Sequence, residues 1–102
     1  MAPEISLKHD QLADLCRRHR VRRLAVFGSA RRVDFDPERS DLDFLVEFET
    51  LPSGRYARTY FSLLEALKRL FGRPVDLLEA GSVRNPYILQ EIESTQETVY
   101  AA

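Results

Sequence analysis

Val26-Phe27-Gly28-Ser29 and, after eleven intervening residues, Asp41-Leu42-Asp43-Phe44-Leu45-Val46 are the stretches on which the reading of this chain turns. Val21 to Phe27 has the β-branched and aromatic character of a strand and ends at Gly28; Leu42 to Phe48 reads as a second strand. Side chains alternate across a strand, so Asp41 and Asp43 point to one side while Leu42 and Phe44 point elsewhere. A third carboxylate, Asp76, lies between Val75 and Leu77 in a short apolar strand, Val75 to Leu78. If the second and third strands are neighbours, all three carboxylates converge on one sheet edge.

Such convergence has a cost. Two carboxylates ~4 Å apart repel by about 4 kcal/mol at an effective dielectric near 20. Three such pairs would rival the whole stability of a small domain. Either protons or a cation must relieve them. An all-oxygen donor set favours Mg²⁺ or Mn²⁺, and no Cys/His cluster suggests zinc. Magnesium held by a few carboxylates commonly completes its shell with a phosphate-bearing substrate. The Gly28–Ser29 pair suits that substrate. Glycine lets the backbone approach a ligand, N–H groups at a helix start favour anions, and the serine hydroxyl adds a donor.

Outward from these motifs the patterning is regular. Leu12, Leu15 and Cys16 share one face of a helix predicted over about 6–19, with Ser6 as N-cap and His19 as the polar end of the stripe. Cys16 reads as a small core residue. The polar segment Ala30 to Ser40, containing Pro37, reads as a short helical turn and loop, and Pro52-Ser53-Gly54 as a turn. Tyr60, Leu63, Leu64, Leu67, Leu70 and Phe71 repeat at helical spacing, ending at Gly72 as C-cap before Pro74. Asn85-Pro86 caps a last helix whose buried side is Ile88, Leu89 and Ile92, and Thr98 to Tyr100 adds a terminal strand. The order α-β-(α)-β-α-β-α predicts an α/β (α+β) fold, a small mixed β-sheet with helices packed on it.

With 102 residues there is room for one domain, residues 1–102. The composition, 44% hydrophobic and 30% charged, excludes disorder and collagen. No apolar run is long enough for a membrane span, and Glu4, Lys8 and Asp10 stand where a signal peptide would be apolar. The single cysteine fits a reducing, cytoplasmic setting. A formal charge of −1 argues against a general nucleic-acid binder, while leaving room for a local patch. The arginine run Arg17, Arg18, Arg20, Arg22 and Arg23 reads as cations at a helix C-terminus followed by a solvated strand start, with a contact for a partner or RNA as the alternative. Tyr56 and Tyr60 read as packing at the start of a helix.

The motif triple Gly28-Ser29, Asp41-Leu42-Asp43 and Val75-Asp76-Leu77 resembles the nucleotidyltransferase superfamily of the DNA polymerase β type. With the Asn85-Pro86-Tyr87 helix and the Val99-Tyr100 ending, it is similar to the minimal nucleotidyltransferase (MNT) antitoxins encoded beside HEPN toxins. The resemblance implies a nucleotidyltransferase fold in which Gly28 and Ser29 hold a nucleoside triphosphate, ATP. Asp41, Asp43 and Asp76 would be catalytic and bind two Mg²⁺ ions (Mn²⁺ serving as an alternative), Asp76 also promoting deprotonation of the attacking hydroxyl. It further implies a HEPN RNase toxin as partner, neutralised by AMP placed on one of its tyrosines. The loop after Ser29 departs from the family pattern, having eleven residues where ten are common and Ala30 and Val33 where Arg and Gly are usual. A non-catalytic antitoxin or adaptor, inhibiting its partner by binding alone, is the alternative.

Overall fold

The computed structural model describes residues 3–27 and 42–102. Strands β1 (Val21–Phe27) and β2 (Leu42–Phe48) form at the boundaries that the apolar patterning predicts and pair antiparallel. Strand β3 (Val75–Glu79) joins β2 in parallel, and β4 (Glu97–Ala101) joins β1 antiparallel, so the mixed sheet runs β3-β2-β1-β4. Parallel neighbours need a long crossover. Between β2 and β3 that crossover is α3 (Tyr56–Phe71), which begins one turn before the apolar repeat. It ends where Gly72 takes a left-handed φ of 65° and its N–H donates to the Lys68 carbonyl over 2.7 Å.

The single helix expected over 6–19 is two. Helix α1 (Pro3–Leu7) and helix α2 (His9–Arg18) are separated at Lys8, so Ser6 lies inside α1 and is not an N-cap. At the break the Lys8 ammonium donates to the Leu70 carbonyl over 2.6 Å and lies 5.7 Å from the centre of the Phe71 ring, a tertiary anchor for the turn between the two helices. Glu4 and Arg73 add an ion pair at 2.8 Å that ties α1 to the turn after α3. Helix α4 (Pro86–Thr95) starts as predicted, the Asn85 Oδ1 accepting from the Tyr87 and Ile88 amides. Of its expected buried side only Ile92 is buried. Leu89 is half-buried, and Ile88 is 50% exposed.

Helices α2 and α3 cover one face of the sheet. Leu12, Leu15 and Cys16 meet Leu63, Leu67 and Phe71 over the inward residues of all four strands, with Phe44 fully buried and its ring 5.9 Å from that of Phe71. Strand alternation sends the neighbouring residues to the opposite face, where Ala25 and Leu45 are also buried. Among the described residues no helix is long and apolar enough to cross a membrane. The segment Ala30 to Ser40 lies outside the described residues.

Candidate active site

The parallel register of β2 and β3 places Asp43 directly opposite Asp76. Leu42 pairs with Val75 and Phe44 with Leu77, and these four are buried on the core side. The two carboxylates therefore share the face away from the core, Asp43 half-buried and Asp76 exposed. An aspartate inside an apolar strand is tolerated here because alternation turns it away from the helices. On the other flank of Asp43 stands Phe27, the last residue of β1 and its register partner. Chain order puts Gly28 immediately after Phe27 and Asp41 immediately before Leu42. Gly28, Ser29 and Asp41 themselves lie outside the described residues.

A cleft of about 350 Å³ opens at these strand ends, with Phe27, Asp43, Asp76 and Leu78 on one side and Tyr60 and Leu64 of α3 on the other. A second hollow of about 300 Å³ continues from it along β3, sharing Tyr60, Leu77 and Leu78 and adding Tyr56, Phe61 and Glu79. The Tyr60 hydroxyl donates to the Leu77 carbonyl and so ties α3 to β3, the edge strand among the described residues. Phe48, Tyr56, Tyr60 and Phe61 form a series of ring contacts with centroids 5.2–6.3 Å apart. Burial, and then the Glu79 carboxylate and Tyr60, push the Tyr56 phenol above its ordinary range, so it stays neutral. Tyr60, expected from the sequence to pack at the start of a helix, also walls the cleft. The density of aromatic residues at 56, 60 and 61 was the signal for it.

The remaining chemically capable side chains are elsewhere. Cys16 is fully buried, and desolvation pushes its thiol up to about 12 against a smaller opposing effect of Arg17, so it is an inert core residue. Arg23 pairs with Glu47 over 2.7 Å and also donates to Thr98 and Gln96, fastening the far face of the sheet. Arg18, His19 and Arg20 gather with Arg58 at the opposite end of β1. Among the described residues no group of three or more His, Cys, Asp or Glu side chains is placed to hold a metal ion. Asp43 and Asp76 supply two hard oxygen donors on one face, the type of donor that suits Mg²⁺ or Mn²⁺.

Comparison with known proteins follows the same lines. The nucleotidyltransferase domain family model matches residues 9–98. A Methanocaldococcus jannaschii protein assigned as a protein adenylyltransferase is 39% identical over 90 residues, spanning 88% of this chain and 86% of its own length. A structure described as that of a minimal nucleotidyltransferase superposes with a TM-score of 0.75 at 32% identity, covering 95% of both chains. At 19% identity the fold is also shared with a complex of a tri-AMPylated Shewanella oneidensis HEPN toxin and its MNT antitoxin, with a TM-score of 0.65, covering 96% of this chain and 73% of that one.

Proposed function

Because the chain belongs to the nucleotidyltransferase domain family, we propose that it transfers AMP from ATP to a hydroxyl of another protein, a HEPN RNase toxin modified on tyrosine. The observation that carries this reading is the register pair Asp43–Asp76 at the mouth of a cleft, beside the strand end that runs on into Gly28–Ser29. In this reading Gly28 and Ser29 hold the triphosphate. Asp41, Asp43 and Asp76 are the residues that would hold Mg²⁺ (or Mn²⁺), which when bound supplies positive charge for the attacking and leaving oxygens of an in-line displacement.

The work of the chain's own residues is positioning and proton transfer. The Asp76 carboxylate accepts the proton of the incoming hydroxyl. The acceptor oxygen forms a bond to the α-phosphorus as the bond to the bridging oxygen breaks, and pyrophosphate leaves with that electron pair. Phe27, Tyr60, Leu64 and Leu78 give the cleft an apolar wall that keeps bulk water from one side of the reacting groups.

The test is direct. Purified protein, a HEPN toxin partner, ATP labelled at the α-phosphate and Mg²⁺ are expected to give labelled toxin, with the label mapping to tyrosine. Asp43→Asn and Asp76→Asn should each lower transfer by at least a hundredfold. An unlabelled toxin in the presence of folded protein counts against the proposal. Neutralisation of the toxin that survives both changes would instead mark an antitoxin acting by binding alone.

A further inference from the structure

At the end of the sheet away from the carboxylates, the C-terminus of α2 and the first turns of α3 enclose a cleft of about 250 Å³ lined by Arg18, His19, Arg20, Arg58, Thr59 and Ser62. Seven-residue β1 separates the two ends, about 20 Å of extended chain, so this cleft is not a continuation of the candidate active site. We propose that it is an oxyanion site for a phosphate group.

Three arginines, Arg18, Arg20 and Arg58, line the cleft, and Arg18 lies 3.2 Å from Asp14, a carboxylate it shares with Arg17 at 4.0 Å. Arg20 and Arg58 form no ion pair among the described residues. Among the described residues, three lining cations less one paired carboxylate leave two positive charges, matching the charge of a phosphate dianion better than that of a single carboxylate. Guanidinium forks donate to oxyanions in pairs, and the Thr59 hydroxyl adds a donor for a tetrahedral anion.

One part of the cleft is held in place by hydrogen bonds. His19 Nδ1 lies 2.8 Å from the Leu15 carbonyl, which can only accept, so that nitrogen carries a proton; Nε2 lies 2.9 Å from Ser62 Oγ. The ring thus holds Ser62 in place across the gap between α2 and α3. Arg20 is the non-glycine residue with positive φ, at 57°, among the described residues. Glycine would fit this left-handed helix end without strain, so an arginine there carries a conformational cost that the backbone does not require. Strain of this kind concentrates where a side chain is needed.

The chain has two histidines, which makes the imidazole Cε1 proton of His19 a local reporter and that of His9 an internal control. Titration of the full chain with inorganic phosphate at low ionic strength is expected to shift the His19 resonance saturably and leave that of His9 in place. Arg58→Gln and Arg20→Gly should each weaken the apparent affinity at least tenfold. Arg20→Gly should do so with an unchanged or higher Tm, which separates lost binding from lost folding. A parallel titration with a 5′-phosphorylated oligoribonucleotide identifies the source of the phosphate. Saturation at a lower concentration than with inorganic phosphate assigns the cleft to a nucleic-acid strand, and equal or weaker binding assigns it to a free small anion. A His19 resonance that neither ligand moves, or that moves as much in the two arginine variants, overturns the proposal.

Discussion

Replacing Asp76 by Asn should make the metal-free protein more stable while removing its activity. Adjacent strands are about 4.8 Å apart, and Asp43 and Asp76 are directly opposed on one face, so their carboxylates lie on the order of 5 Å apart. At that distance two negative charges repel by about 3 kcal/mol at a dielectric of 20 and by just under ~1 kcal/mol in water. Asp76 is exposed, which puts the relief near the lower figure, about 1 kcal/mol. For a domain of this size that is an increase in Tm of roughly 4–8 °C. The assay is thermal unfolding of wild type and Asp76→Asn in EDTA and again in Mg²⁺. An ion at ten times its Kd would add about 1.4 kcal/mol to the wild type, and little to the variant, so the order of the two melting temperatures should narrow or invert. The reasoning is refuted if the variant melts at or below the wild-type temperature in EDTA. It is refuted equally if Mg²⁺ raises both proteins by the same amount.

The other predictions concern the frame that holds the site. Gly72→Ala should cost about 1–2 kcal/mol in urea unfolding, purely from the left-handed backbone at φ 65°, since a Cβ there meets no atom within 4 Å. Asn85→Ala removes the acceptor for two amides at the start of α4 and should cost about 1 kcal/mol, read as faster hydrogen exchange at Tyr87 and Ile88. Cys16 makes stability depend on alkaline pH. Its thiol is pushed up to about 12 in the folded state against roughly 8.5 unfolded, so its contribution is whole below pH ~8.5 and declines between there and pH 12. The slope is at most about 1.4 kcal/mol per pH unit, and Cys16→Ala should remove that part of it when the two proteins are compared from pH 8 to 10.5.

What the sequence disclosed, and what it did not, follows the range of the forces involved. The bounds of β1 and β2, the Gly72 end of α3 and the Asn85 start of α4 are set by local backbone preferences and short-range patterning, and each was legible residue by residue. The break at Lys8 was not, and the contact that anchors it is with the Leu70 carbonyl, 62 residues away. Nor was the exposure of Ile88: helical spacing identifies the apolar stripe of α4 without saying how much of it the sheet can cover. For the site, alternation gave the shared side of the strand but could not give the neighbour. Only the crossover through α3, which makes β2 and β3 parallel partners, brings Asp76 opposite Asp43. The role of Tyr60 as a cleft wall depends in turn on its hydroxyl reaching the edge of β3.

That crossover also explains how so small a core can carry opposed carboxylates. Leu42, Phe44, Val75 and Leu77 point into the helices, while Asp43 and Asp76, one residue out of phase, point away from them. The electrostatic cost of the pair therefore falls on a face that water reaches, and the packing of α2 and α3 is untouched by it. A slip of β3 by a single residue against β2 would turn Asp76 inward and Val75 and Leu77 outward. Burial of the apolar set thus fixes the register, and the register in turn juxtaposes the acids. Substitutions at Phe44 or Leu77 should accordingly disturb the alignment of Asp43 with Asp76, whereas substitutions at the acids should leave the fold intact.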